Sequence, residues 1–140
     1  MKHLLILLFT LLLSSSLHAQ YDTLHCESGL KYIKLQEGTG KKPLDGQRVK
    51  VSYIGKLPNG EIFDQLEKGD HFFFKIGDPA IIKGWSEGFK LMSPGEKGIF
   101  IIPPFLGYGT KGVKDPYGEK EYLIPPNSTL FFEVELFSIK

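Results

Sequence analysis

The chain has 140 residues, a formal net charge of +1 and 24% charged side chains, enough for one domain with a single core and too few for two. Its lysines are scattered among acids with no basic stripe interleaved with aromatics, so nucleic acid is not an expected partner. Cys26 is the single cysteine, which excludes an intrachain disulfide and leaves stability to the core.

The opening stretch "MKHLLILLFTLLLSSSLHAQ" begins with Lys2, runs apolar from Leu4 to Leu13 with Thr10 as the only interruption, and closes on serines and Ala19. That layout predicts a secretory signal peptide over residues 1–19, cut after Ala19. The run is shorter than the ~20 apolar residues of a bilayer span. An uncleaved anchor is the competing reading, because Leu17 is large for its place three before the cut. Removing Lys2 from the 17 basic residues leaves 16 against 16 acids. The mature protein is therefore expected to be near neutral and exported, periplasmic if the source is bacterial.

Residues 20–28 read as a short polar lead to a domain over residues 29–140. His25 adjoins Cys26 in that lead, but sequence neighbours need not face each other, so a bystander thiol is preferred to a nucleophile and base. After the lead, apolar residues alternate with the period of half-buried strands. "LKYIKLQEG" is the opening strand. In "RVKVSYIG", Val49, Val51 and Tyr53 share one face and Lys50 and Ser52 the other. "KLPNGE" holds Asn59-Gly60, a hairpin signal, and "HFFFKIG" is a short apolar strand.

The segment "AIIKGWSEGFKLM", residues 80–92, is the one with helical period: Ile81, Trp85, Phe89 and Met92 recur at intervals of four and three. Asp78 can cap it and Pro79 suits the first helical position. Gly84 and Gly88 each cost about 1 kcal/mol relative to alanine in a helix, so a compensating role is expected. Lacking Cβ, they would let a sheet approach closely and leave the indole face open; the alternative is that they relieve crowding around Phe89. "SPGE" at 93–96 is a turn before the strand "KGIFIIPP". Tyr108 to Pro126, rich in glycine, proline and charge, reads as a long loop of functional kind. "TLFFEVELFSI" closes the chain with Leu130, Phe132, Val134 and Leu136 opposed to Phe131, Glu133, Glu135 and Phe137. One helix against an antiparallel sheet makes an α+β domain.

Side chains for acid-base or metal chemistry are sparse. The four histidines are His3, His18, His25 and His71, with no H-x-x-x-H, no cysteine pair, no G-x-S-x-G elbow and no phosphate-cradling loop. Neither a metal nor a cofactor is expected. Aromatic rings are abundant instead: Tyr53, Phe63, Phe72, Phe74, Trp85, Phe100, Tyr108 and Phe132 lie on or beside the predicted elements. A small domain has little room to bury them all, so some are expected to line a cleft.

Three stretches, in order, carry a resemblance. "VKVSYIGKLPNGEIFD", "IIKGWSEGFKLMSPGEK" and "YLIPPNSTLFFEVEL" resemble the first hairpin, the G-W-x-E-G signature and the I-P-P ending of the FKBP-type peptidyl-prolyl cis-trans isomerases, over roughly Gly29 to Lys140. The resemblance implies a curved antiparallel half-barrel around one short helix, with an apolar pocket between them. It implies Trp85 as the pocket floor and Tyr53, Phe63, Phe72 and Phe132 as walls. Ile81 and Ile82 would form the rim, the Ile82 N–H donating to a substrate carbonyl. Asp64 and the Tyr108 hydroxyl would be polar contacts, and Leu123 replaces a more usual isoleucine.

Implied partners are polypeptides containing X-Pro bonds and macrolide inhibitors, and the protein is expected to be a monomer. Two departures stand out. Lys68 is the nearest cation to take the place of the arginine the family often pairs with the acid at position 64, and the loop after Tyr108 is longer than in the smallest members. A non-catalytic proline-peptide-binding module or chaperone of the same fold is the alternative function. An adhesion-type β-sandwich is disfavoured by the helix. "NST" at Asn127 fits a glycosylation acceptor and equally a chance tripeptide.

Overall fold

A computed structural model describes residues 20–140; the expected signal peptide lies outside the described residues. The alternating runs form strands β1 (Thr23–His25), β2 (Lys31–Gln36), β3 (Arg48–Lys56), β4 (Ile62–Gln65), β5 (Phe72–Lys75), β6 (Lys97–Ile102), β7 (Val113–Lys114), β8 (Tyr122–Ile124) and β9 (Leu130–Ile139). The helix α1 spans Lys83–Phe89. The main sheet is antiparallel in the order β1-β2-β6-β9-β3-β4, and β5 also pairs with β3. The expected α+β class, a curved and open sheet around one helix, is what forms.

Period two decides which residues enter the core. Val49 and Val51 of β3 are buried, as are Leu130, Phe132, Val134 and Leu136 of β9. Opposite them, Phe100 and Ile102 of β6 pack at full burial. The inner face closes on Trp85, Phe89 and Met92, so the expected helical stripe is the buried stripe. Gly84 and Gly88 face β6: a Cβ on Gly84 would lie 2.6 Å from Ile102 Cγ2, and one on Gly88 2.7 Å from Phe100 Cζ. Close approach to the sheet is thus the reason for both glycines.

Three expectations are corrected. The helix is shorter than residues 80–92, because Asp78 does not cap it: its Oδ1 accepts from Ala80 N–H at 2.9 Å and its carbonyl from Ile81 N–H at 3.0 Å, closing a turn. Ile82 stands at the N-cap in extended conformation without a side-chain cap. The polar lead contributes β1, whose residues are all exposed and held by backbone pairing to β2. The expected loop after Tyr108 contains the two-stranded ribbon β7–β8.

Candidate active site

Between α1 and the inner face of the sheet lies a cavity of about 260 Å³. Its floor is Trp85, 5% exposed, met edge-on by Tyr53 at a centroid distance of 4.8 Å, by Phe132 at 5.3 Å and by Phe72 at 6.0 Å. Phe63 stands against Phe132 at 5.5 Å and 89°. Such edge-to-face packing presents ring hydrogens to ring faces, the arrangement favoured by aromatic quadrupoles. The Trp85 Nε1 proton, alone among the buried side-chain polar atoms described, has no acceptor. An unmet buried donor costs about 1–3 kcal/mol, and here that cost sits at the cavity floor.

Local backbone chemistry explains how two neighbouring residues reach one cavity. In a regular strand Phe63 and Asp64 would point to opposite faces. The β3–β4 register slips, however: Gly55 opposes Asp64 while Lys56 opposes Ile62, so Phe63 is the extra residue of a bulge. A bulge re-aims side chains, and both Phe63 and Asp64 line the cavity. Gly55 makes this possible, since a Cβ there would lie 2.6 Å from the Phe63 ring and 2.8 Å from that of Phe132.

The rim is polar at two places. Tyr53 donates its hydroxyl to Asp64 Oδ2 at 2.7 Å. Burial raises the Tyr53 phenol above its ordinary range, and the bond to Asp64 adds to the rise. The Tyr108 phenol is raised too, by burial first and then by the Asp64 charge. Both hydroxyls therefore stay protonated as donors beyond the pH at which a free tyrosine ionises. At the other edge, Ala80, Ile81 and Ile82 line the opening. No acceptor among the described residues takes the Ile82 N–H, which leads the uncapped helix.

Of the expected site residues, Tyr53, Phe63, Asp64, Phe72, Ile81, Ile82, Trp85, Tyr108 and Phe132 surround this one cavity. Leu123, on β8, is half-buried against the core and does not line it. Ala80 lines the cavity instead, and its place beside the Ile81-Ile82 pair was the available signal. Lys68 makes no ion pair with Asp64, whose partner is Tyr53. Larger hollows of about 480 and 520 Å³ occur elsewhere, one against the lead and one on the outer face of the sheet. Charged side chains line both, including Lys34 and Glu37 in the first and Lys97 and Glu133 in the second, so neither is a dry aromatic site.

The profile of the family described as FKBP-type peptidyl-prolyl cis-trans isomerase matches residues 39–137. This chain belongs to that family. It is 42% identical over 113 residues to FK506-binding protein 1 of Dictyostelium discoideum, covering 80% of this FKBP-type chain and 99% of the relative. FK506-binding protein 4 of Mycosarcoma maydis is 41% identical over 122 residues, 87% of this chain, but the match spans only 30% of that longer protein. Among solved structures, a peptidyl-prolyl cis-trans isomerase from Pseudomonas syringae pv. tomato superposes with a TM-score of 0.74 at 34% identity, covering 87% of this chain and 84% of that one.

Proposed function

We propose that the protein is a peptidyl-prolyl cis-trans isomerase that accelerates X-Pro isomerisation in exported polypeptides. One observation carries the reading most strongly: the aromatic cavity over Trp85, open at one side, with Asp64, Tyr108 and the Ile82 N–H at its edge. An X-Pro amide turns slowly because twisting its C–N bond breaks resonance behind a barrier of about 18–20 kcal/mol. No bond is made or cut. The prolyl ring enters between Tyr53, Phe63, Phe72 and Phe132 and rests on Trp85. The carbonyl preceding the ring then exchanges water for the apolar cavity.

A planar amide has more charge separation than a twisted one, so losing water penalises the planar form more. Stronger binding of the twisted form lowers the barrier, by about 1.4 kcal/mol for each tenfold gain in rate. The Ile82 N–H holds the substrate backbone in register, while the Tyr108 hydroxyl and the Asp64 carboxylate bind its polar groups at the rim. Export rests on the leader, and the substrates would be chains folding outside the cytoplasm. The relatives' names support FK506-type macrolides as competitors for the cavity.

The test adds protein beginning at Gln20 to a proline-limited refolding reaction. A slow phase shortened in proportion to enzyme, and restored by FK506, is the expected result. Trp85, the sole tryptophan, reports occupancy by fluorescence. Peptide-dependent quenching with an unchanged slow phase would leave a binding module without catalysis.

A further inference from the structure

The β7–β8 ribbon is fixed at both feet beside the cavity. Gly109 N–H donates to the Pro104 carbonyl and Asn127 N–H to the Gly109 carbonyl, each at 2.8 Å, next to Tyr108. Its tip is organised from within. The Asp115 carboxylate accepts from Tyr117 N–H and Lys120 N–H at 3.0 Å each, and Lys114 Nζ lies 3.9 Å from the centre of the Tyr122 ring. From that tip, Lys120 Nζ donates to Glu61 Oε1 in the β3–β4 turn. Glu61 is itself set, its N–H donating to Asn59 Oδ1 and its carbonyl accepting from Leu57 N–H. Phe63 and Asp64 of the cavity follow within three residues.

The ion pair thus joins the two segments that bring Tyr108 and the Phe63–Asp64 bulge to the site. We propose that Lys120 and Glu61 are positioning residues, holding the ribbon as a second contact surface for the unfolded chain flanking the prolyl residue. The proposal rests on the isomerase reading and adds a preference for protein-length over short substrates. Tyr117, 84% exposed at the ribbon tip, offers that chain an aromatic surface. Holding such a surface in place beforehand lowers the ordering entropy a substrate must otherwise overcome. Because exposed ion pairs add little to folding stability, breaking this one should alter recognition without unfolding the domain.

The test compares Lys120→Glu, Glu61→Lys and the E61K/K120E exchange on a four-residue X-Pro peptide and on a proline-limited refolding protein, with melting temperatures alongside. Each single variant should lose about fivefold in kcat/KM on the protein substrate, mostly through KM, with the peptide rate and Tm unchanged. The exchange should recover the loss. Wild-type refolding activity in the single variants, or equal losses on both substrates, overturns the proposal. A wild-type protein inactive on both substrates would instead remove the isomerase reading, and the proposal with it.

Discussion

Tyr53 serves packing and polarity at once. Its ring meets Trp85, Phe72 and Phe132, while its hydroxyl fixes Asp64 at the rim. Tyr53→Phe keeps the ring and removes the hydrogen bond, worth about 1 kcal/mol. The expected outcome in the peptide assay is a drop of about fivefold in kcat/KM, with urea unfolding shifted only slightly. The phenols make a second prediction. Tyr32, Tyr53 and Tyr108 are all raised, each by burial first, with Glu96 bonded to Tyr32 and Asp64 beside the other two. Folded protein therefore keeps these protons while the unfolded chain loses them near pH 10. Below that pH their contribution to stability is complete; above it the unfolded state binds fewer protons and stability falls as pH rises. Absorbance titration should show these phenolates appearing later in folded than in urea-unfolded protein, and melting temperature declining above pH 10. The residue types were legible before the fold, but the Tyr53–Asp64 bond was not, because the bulge that delivers Asp64 leaves no mark in local periodicity.

At the scale of elements, the contact between α1 and β6 depends on absent side chains. Gly88→Ala would gain about 1 kcal/mol in helix propensity and press a methyl to 2.7 Å from the Phe100 ring. Phe100 is fully buried between Tyr32 and Phe89 at centroid distances of 5.5 and 5.0 Å, so it has nowhere to move. Overpacking of about 1–3 kcal/mol should win, and urea titration should show net destabilisation. A rise in midpoint would mean the helix can slide on the sheet. The strands and the helical stripe were readable because period two and period 3.6 are local properties of the chain. The lead strand β1 was not, since its three exposed residues carry no apolar alternation and are held only by backbone pairing to β2. The ribbon β7–β8 hid for the same reason, as its organisation lies in side-chain bonds around Asp115 rather than in an apolar pattern.

Across the whole molecule, one buried carboxylate joins β2 to the turn before β6. Glu96 is 1% exposed and accepts from the Tyr32 hydroxyl at 2.5 Å and from Ser93 N–H at 3.0 Å, with Lys34 Nζ at 3.7 Å. Glu96→Ala would leave two donors unpaired beside a void and should cost about 3 kcal/mol. Tyr32→Phe should cost about 1–2 kcal/mol, and the double variant less than the sum, because both remove one network. Urea unfolding of the four proteins checks this, and strict additivity would contradict it. The sequence by itself determined the α+β class, the inner faces of the long strands, the buried helical stripe and the store of rings from which a cavity could be built, because these follow from spacing along the chain. Tertiary structure alone decided that Phe63 and Asp64 share one wall, that Glu96 is a core residue and that Lys120 reaches Glu61. The first depends on a register slip within one hairpin and the others on contacts between segments about sixty residues apart, and the apolar pattern of the chain encodes neither.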